Sequence, residues 1–209
     1  MKINDRRQFL GAGLLGAAGL TLAVVGRRVS ADAPAAAGNS VSGSSASGSS
    51  VGDSVSIEEF GADGRSLGVH AVARIRRSDA DWRAQLSPLA FQVARQEGTE
   101  ASFSGEYASN HADGLYRCIC CATALFDSKT KFESGTGWPS FYRAISRYNV
   151  VEHGDHSFGM LRSAVSCRRC DAHLGHVFDD GPPPTGLRYC MNSVALHFVP
   201  RGAAGEMHS

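Results

Sequence analysis

The sequence predicts a mainly β domain with a short helical portion at its N-terminal end and a site for a bound metal ion. Three observations support this prediction. Segments with strand signals follow one another from Gly114 onward, with Gly and Pro residues between them. Ser78 precedes acidic and then apolar residues, as at the start of a helix. Four of the six cysteines form two Cys-x-x-Cys pairs.

The composition argues against nucleic-acid binding and favours a metal site. The 209 residues carry a formal net charge of +1 without a run of Lys or Arg, so there is no electrostatic basis for binding nucleic acid. Six cysteines in a chain of this length favour a metal site over a disulfide scaffold, which is usually shorter and denser in cysteine.

Residues 1–33 are typical of a cleaved export signal. Arg6 and Arg7 come first, an uncharged stretch runs over 11–26, and a small-residue Ala-x-Ala sequence follows at 31–33. The arginine pair resembles the twin-arginine type of signal, whose pathway carries folded proteins. We therefore expect a bacterial protein that is exported to the periplasm.

A membrane anchor is the alternative for this segment. The uncharged run over 8–26 approaches the roughly 20 residues that span a bilayer. Its many Gly and Ala residues make it only mildly hydrophobic, which favours the cleaved signal. Association with a membrane is expected only if the segment stays uncleaved.

The rest of the chain divides by composition. Residues 34–56 consist almost wholly of Gly, Ser, Ala and Val with a single charge, Asp53, and predict a flexible linker. Residues 57–200 have the usual size of one folded domain. Residues 201–209 are predicted to form a C-terminal tail.

Helical signals come first within the domain. Ser78 is the predicted N-cap, followed by acidic residues in the first turn. An apolar set follows, interrupted by Pro88, which predicts two short helices rather than one. The members of this set are Trp82, Leu86, Leu89 and Phe91.

Strands are predicted over four later segments. They are residues 115–118, 148–151, 160–165 and 188–199. In an extended strand alternate residues share a face. The last segment would therefore place Arg188, Cys190 and Asn192 on one face, continued by Val194, Leu196 and Phe198.

The two cysteine pairs predict a structural zinc ion. Their four thiolates match the tetrahedral ligand set of closed zinc sites, and the metal would join two distant parts of the chain. The ligands would be Cys118, Cys121, Cys167 and Cys170. Two disulfides are an alternative in an oxidising compartment. A redox-active Cys-x-x-Cys is disfavoured because both pairs lie among strands and turns rather than at a helix start.

Cys120 and Cys190 remain outside this ligand set, and Cys190 has the surroundings of a nucleophile. Arg188 beside it would favour the thiolate, which is the reactive form of cysteine. The alternative is a buried and inert cysteine. His173 and His176 follow the second cysteine pair, where the full zinc ligand set leaves them available as proton donors.

Several motifs together resemble the B-type methionine sulfoxide reductases, over about residues 80–199. Trp138 lies in one of them, where the following proline holds it extended and its ring could form an apolar wall; taken alone it is more typical of a core residue. The motifs are 98–100, 103–105, 114–118 with Cys121, 134–141, 167–178 and 184–193.

This resemblance implies two antiparallel sheets and reduction of the R epimer of methionine sulfoxide, mainly in proteins. It implies that Cys190 is the nucleophile and that Trp138 and Phe178 bind the substrate. His173, His176 and Asn192 would line the site and Arg188 would tune the thiolate. We expect a monomer that acts on oxidised proteins and is reduced by an external, thioredoxin-like dithiol.

Thr136 departs from the family pattern. Many relatives carry a second, resolving cysteine at this position, and threonine cannot form a disulfide. Cys120 is the remaining thiol, but it lies between two predicted zinc ligands. The sequence therefore predicts that an external dithiol reduces oxidised Cys190 directly. A structural zinc module is a rival function, but it has no use for Cys190, the two histidines and Trp138 together. A thiol–disulfide oxidoreductase is a second rival, but it needs an active-site Cys-x-x-Cys, and both pairs here are assigned to zinc.

Overall fold

The computed structural model describes residues 53–155 and 162–202. The predicted export signal at 1–33 lies outside the described residues, as do most of the predicted linker at 34–56 and most of the tail at 201–209. Within the described part of the chain, no helix is both long enough and apolar enough to cross a membrane.

A β-hairpin opens the described part of the chain. Strand β1, Ser54–Phe60, pairs antiparallel with β2, Ser66–Ala73. Strand β1 begins three residues before the predicted domain start at residue 57, and this hairpin precedes the two helices. The sequence did not predict the hairpin because most of its side chains are exposed and only Ile57 is a buried hydrophobic residue there.

A buried amide attaches this hairpin to the rest of the domain. The side chain of Asn149 donates to the carbonyl of Glu58 and accepts from its backbone N–H, both at 2.8 Å. It also donates to the carbonyl of Ala124 at 2.7 Å. Asn149 is fully buried, so these bonds replace the hydrogen bonds that its amide would otherwise make with water.

Two short helices follow, as predicted. Helix α1, Asp79–Gln85, begins with a capping box between Ser78 and Asp81, and helix α2, Pro88–Gln96, is capped by Ser87. One part of the helix prediction is wrong. Leu89 is 42% exposed, because the new helix that begins at Pro88 turns Ala90, Phe91, Val93 and Ala94 toward the core.

The remaining strands form two antiparallel sheets, which confirms the predicted class. The larger sheet has the order β5-β6-β10-β9-β8-β7 and the smaller β11-β3-β4. The bounds are β3 Gly114–Cys118, β4 Ala124–Asp127, β5 Lys131–Phe132, β6 Ser140–Phe141, β7 Val150–Asp155, β8 Arg162–Cys167, β9 His173–Phe178, β10 Arg188–Met191 and β11 Leu196–Pro200.

The predicted single strand over 188–199 is wrong. The chain leaves the larger sheet after Met191, passes through a 3₁₀ turn at Ser193–Ala195 and enters the smaller sheet as β11. Arg188 and Cys190 do share a strand. Asn192 lies in the turn, and Leu196 and Phe198 belong to the other sheet.

Aromatic side chains join the two sheets at the core. Phe126 of β4 stacks on Phe141 of β6 with ring centroids 4.5 Å apart, and Tyr116 of β3 meets Phe141 edge-on at 5.0 Å. All three are fully buried. Their packing places β6 and its neighbour β10 directly over the smaller sheet.

Arg201, the first residue of the predicted C-terminal tail, is bonded to the folded domain. The Arg201 guanidinium pairs with Asp113 at 2.9 Å and with Asp127 at 2.7 Å, and its side chain is 16% exposed. Its backbone N–H donates to the carbonyl of Asp113. Arg201 is therefore part of the fold.

Candidate functional site

The two Cys-x-x-Cys turns have the same backbone geometry. In the first, between β3 and β4, the carbonyl of Cys118 accepts from the N–H of Ala122 at 2.9 Å, and Ala122 has a left-handed φ of 59°. In the second, between β8 and β9, the carbonyl of Cys167 accepts from Asp171 at 2.9 Å, with a φ of 55°. Each turn therefore directs both of its thiols to the same side.

These turns bring four sulfur atoms together. Cys118 Sγ lies 3.6 Å from Cys170 Sγ, and Cys121 Sγ lies 3.5 Å from Cys167 Sγ. All four lie within 4.8 Å of one another. A tetrahedron with Zn–S bonds of about 2.3 Å separates its sulfurs by about 3.8 Å, whereas a disulfide needs about 2.05 Å. The four cysteines are free and could hold a metal ion.

Neighbouring elements hold the second turn in place. The Arg95 guanidinium of α2 donates to the carbonyl of Cys170 at 2.7 Å, and the N–H of Ile75 donates to the carbonyl of Arg169 at 2.8 Å. Arg74 pairs with Asp171 at 2.6 Å. Cys120 is 5% exposed within the hydrophobic core. The cluster is thus supported by the segments that precede it in the chain.

Cys190 occupies the middle of the larger sheet, on strand β10. Ser140 of β6 lies directly opposite it on one side and His176 of β9 on the other. Directly opposed residues in adjacent strands share a face of the sheet. Ser140, Cys190 and His176 therefore form a row across the sheet, and Cys190 is partly exposed.

A group of hydroxyls surrounds the Cys190 sulfur. Thr136 Oγ1 lies 3.8 Å from Cys190 Sγ and 2.8 Å from Ser134 Oγ. Ser134 Oγ lies 2.7 Å from Ser140 Oγ, which is 3.3 Å from the carbonyl oxygen of Trp138. Ser134 and Ser140 lie in the quoted 134–141 motif, but the sequence did not predict their role.

Arg188 lies beside Cys190, but its charge is shared. The guanidinium makes two hydrogen bonds of 2.8 Å to Asp180 and lies over the Phe178 ring, 4.3 Å from the centroid. Burial raises the pKa of Cys190, while contacts with Thr136, Arg188 and Ser140 act in the opposite direction. The expected effect of Arg188 on the thiol has the right sign and is outweighed by burial. Asp180 was missed because no sequence signal pairs it with Arg188.

Glu100 connects Trp138 with the turn after Cys190. Its carbonyl accepts from the indole Nε1 of Trp138 at 3.2 Å, and its N–H donates to Asn192 Oδ1 at 3.0 Å. Its carboxylate accepts from the backbone N–H groups of Ser193 at 2.7 Å and Val194 at 3.0 Å. Glu100 is 2% exposed. It lies in the quoted 98–100 motif, yet only the fold reveals these partners.

Two glycines are required by close approaches around this site. A Cβ at Gly105 would lie 2.4 Å from Glu100 Oε1. Gly137 has a φ of 88°, and a Cβ there would lie 2.7 Å from the backbone nitrogen of Phe103, which donates to the Gly137 carbonyl at 2.8 Å. Phe103 itself is 74% exposed.

The two histidines lie together on β9. The rings of His173 and His176 are 5.2 Å apart between centroids, and His176 lies 6.5 Å from the Phe178 ring. His173 is buried and His176 is half-buried. The structure thus gathers Cys190, Arg188, His176 and Phe178 on one face of the sheet. Asn192 lies at the end of β10, with its amide nitrogen donating to the carbonyl of Leu174 at 3.1 Å.

Comparison with known proteins finds a matching family and relatives with similar sequences. The SelR domain family matches residues 86–200. Peptide methionine sulfoxide reductase MsrB of Pseudomonas entomophila (strain L48) is 58% identical over 128 residues, which are 61% of this chain and 98% of that protein. The protein of the same name from Thiobacillus denitrificans is 55% identical over 125 residues, 60% of this chain and 95% of that protein. The chain belongs to the family of B-type methionine-R-sulfoxide reductases, which are oxidoreductases.

Proposed function

We propose that this protein reduces the R epimer of methionine sulfoxide in oxidised proteins, with Cys190 as the nucleophile and a cysteine sulfenic acid as the intermediate. The observation that supports Cys190 most directly is its place in the sheet. It is the partly exposed cysteine outside the four-cysteine cluster, and His176 lies opposite it. Cys120 also lies outside the cluster, but it is buried in the core.

The chemical step uses the groups of this row. The Cys190 thiolate attacks the sulfoxide sulfur, whose oxygen leaves only after protonation. His173 and His176 are the candidate proton donors, because imidazole exchanges protons near neutral pH. The thiol and the sulfoxide together become methionine and Cys190 sulfenic acid, the first oxidation state of a thiol on this route.

Other residues would orient the substrate. In this proposal the methyl group of the sulfoxide packs against the Trp138 ring, whose nitrogen is held by the Glu100 carbonyl at 3.2 Å. Phe178 lies on the same face as Cys190 and borders the site on the side of Arg188. Asn192 keeps the turn after Cys190 closed by accepting from Glu100.

Recycling requires a reductant from outside the chain. A dithiol attacks the Cys190 sulfenic acid, releases water and leaves a mixed disulfide, which its second thiol resolves to restore the Cys190 thiol. Thr136, 3.8 Å from the sulfur, cannot supply this thiol. We propose a thioredoxin-like donor for this step.

One equivalent of substrate without reductant tests this route. We expect a dimedone adduct on Cys190 by mass spectrometry, and Cys120→Ser should turn over normally with a dithiol. Thr136→Cys should convert the product to an intramolecular disulfide, because its side chain lies within reach of Cys190. A Cys120–Cys190 disulfide as the main wild-type product, with recycling lost in Cys120→Ser, would contradict the proposal.

We also propose that the four-cysteine cluster holds one zinc ion. Cys118, Cys121, Cys167 and Cys170 would supply four thiolates in a closed structural site, so the metal would support the fold and take no part in the reaction. The sulfur separations of 3.5 and 3.6 Å fit such a site.

The proposed site of action is the periplasm. The basis is the sequence at 1–33 alone, with its arginine pair and uncharged stretch. In that compartment the substrates would be exported proteins damaged by oxidation. Protease protection of the enzyme in intact cells, lost after release of the periplasm, tests this location.

The central experiment is a reductase assay on each epimer of dabsyl-methionine sulfoxide with a dithiol as reductant. We expect turnover of the R epimer and none of the S epimer, because one enzyme type serves each epimer. Equal turnover of both epimers, or none of the R epimer, would overturn the proposed activity.

A further inference from the structure

Thr136 is part of a chain of hydroxyls that ends at the sulfur of Cys190. The chain runs from Cys190 Sγ to Thr136 at 3.8 Å, to Ser134 at 2.8 Å and to Ser140 at 2.7 Å. Ser140 is fully buried and lies opposite Cys190 in the sheet. Three side chains therefore form one connected group, which reaches the sulfur through Thr136.

We propose that this hydroxyl chain (Thr136, Ser134 and Ser140) holds the Cys190 thiolate, with Thr136 as the direct hydrogen-bond donor to its sulfur. The proposal rests on Cys190 as the nucleophile and adds a residue to the reaction. Thr136 would stabilise the thiolate form of Cys190, and it would take no part in reducing the oxidised form.

Counting protons shows how the chain can serve both states of Cys190. Each hydroxyl has one proton to donate and can also accept. When Cys190 is a thiol, its S–H donates to Thr136, Thr136 to Ser134, Ser134 to Ser140, and Ser140 to the Trp138 carbonyl at 3.3 Å. Every proton is then used, and the chain ends on a group that can only accept.

When Cys190 loses its proton, the direction reverses without movement of the heavy atoms. Ser140 donates to Ser134, Ser134 to Thr136, and Thr136 to the sulfur. The cost is one hydrogen bond to the Trp138 carbonyl, which at 3.3 Å is long. The gain is a hydrogen bond to a charged acceptor, which is stronger than a neutral one, in a chain whose members polarise one another.

The site needs such a donor because burial works against the thiolate. Burial raises the pKa of Cys190, and Thr136 heads the contacts that lower it. The other charged or titratable groups around the sulfur are Arg188 on the same strand, bound to Asp180, and His176 with His173 on β9. Glu100 faces the turn that follows the strand. None of these groups changes when Thr136 is replaced.

The test measures alkylation of Cys190 by iodoacetamide over a series of pH values. Digestion with trypsin gives the peptide Tyr189–Arg201, in which Cys190 is the single cysteine, so mass spectrometry follows this thiol alone. Thr136→Val removes the hydroxyl and keeps the shape of the side chain. We expect alkylation at neutral pH to slow by about tenfold, as for a lost hydrogen bond to a charged group, with the half-maximal rate moved to higher pH.

Three variants make the result specific. Thr136→Ser should restore both the rate and the pH profile. Ser134→Ala keeps Thr136 but removes the hydroxyl that donates to it in the thiolate state. Alkylation should therefore slow several-fold. Ser66→Ala removes an exposed serine hydroxyl that binds Glu58 in the hairpin and should change nothing.

The proposal fails if Thr136→Val alkylates within about twofold of the wild type at every pH, since one hydrogen bond to a charge exceeds that effect. It also fails if Thr136→Ser behaves like Thr136→Val. If Thr136→Val does not fold, Ser134→Ala decides, and an unchanged profile refutes the chain. Alkylation requires no sulfoxide, so this outcome is separate from the reductase assay that tests the proposed function.

Discussion

The four-cysteine cluster and the Cys190 site both position cysteine sulfur, but different parts of the structure do so. In the cluster, each pair of thiols is set by a five-residue backbone turn, and the turn at Cys118 has the same hydrogen bond and left-handed residue as the turn at Cys167. At Cys190, side chains from β6, β9 and the 134–138 segment surround one sulfur. A four-cysteine cluster can thus be assembled from two copies of a short motif, whereas the surroundings of Cys190 depend on the assembled sheet.

The two sites also differ in the groups that interact with the sulfur. Four thiols within 4.8 Å of one another are suited to a shared cation. Cys190 has hydroxyls and a partly neutralised arginine around it instead. A bound cation would hold the four cluster sulfurs as thiolates, whereas hydroxyls beside Cys190 can act as hydrogen-bond partners of either a thiol or a thiolate.

The largest effect is expected from breaking the cluster. Cys170→Ser removes one of the four proposed ligands, and a structural zinc site contributes its binding free energy to folding, roughly 10 kcal/mol or more for small zinc domains. We expect loss of metal and no cooperative unfolding transition at ordinary temperature. Metal analysis and a melting curve measure this, and a full metal content with an unchanged melting temperature would exclude Cys170 as a ligand.

Cys190→Ser should remove the activity without changing the stability of the fold. Cys190→Ser should abolish reduction of the R epimer and retain about one zinc per chain, because Cys190 lies outside the cluster. Its melting temperature should stay close to that of the wild type, since the substitution is nearly isosteric. Substantial residual activity in this variant would refute Cys190 as the nucleophile.

Replacing Glu100, which binds the turn after Cys190, should have an intermediate effect on stability. Glu100→Ala leaves the buried N–H of Ser193 and the partly buried N–H of Val194 without an acceptor, which should lower the free energy of unfolding by about 2–4 kcal/mol. Glu100→Gln keeps one side-chain oxygen and should lose about half as much. Denaturant unfolding measures both, and equal stability of the alanine variant would show that water replaces the carboxylate.

The smallest effect concerns the charge beside Cys190. Burial raises the pKa of this thiol by disfavouring the thiolate, so alkylation should reach half its maximal rate at a higher pH than in an unfolded peptide. Arg188→Met removes one contact that lowers the pKa and should move the profile further upward, with a few-fold slower rate at neutral pH. An unmoved profile would indicate that Asp180 fully neutralises Arg188.

Local features of the fold were predictable. Ser78 caps a helix because its hydroxyl accepts from the backbone N–H of Asp81, three residues later. Pro88 can begin a second helix because the first helical residue does not need the backbone N–H that proline lacks. The cysteine pairs form turns through bonds between residues four apart. Each of these interactions joins near neighbours in the sequence, so the motif contains both partners.

The surroundings of Cys190 were less predictable. The resemblance to the family named Cys190 and its companions, but the expected continuous strand over 188–199 breaks at Met191. The break is stabilised by Glu100, whose carboxylate binds Ser193 across 93 positions of the sequence. The exposed hairpin before Ser78 was missed for a similar reason, since the distant residue Asn149 attaches it.

The sequence by itself determined the helix starts, the mainly β class, the two cysteine turns and the family. Only the tertiary structure decided which partners reach Cys190: the hydroxyls of Thr136 and Ser140, His176 across the sheet, and Arg188 already bound to Asp180. The physical reason is the range of the interactions. Capping bonds and turns act within a few residues, whereas burial and charge at Cys190 depend on strand order and register, which are set by packing between segments far apart in the chain.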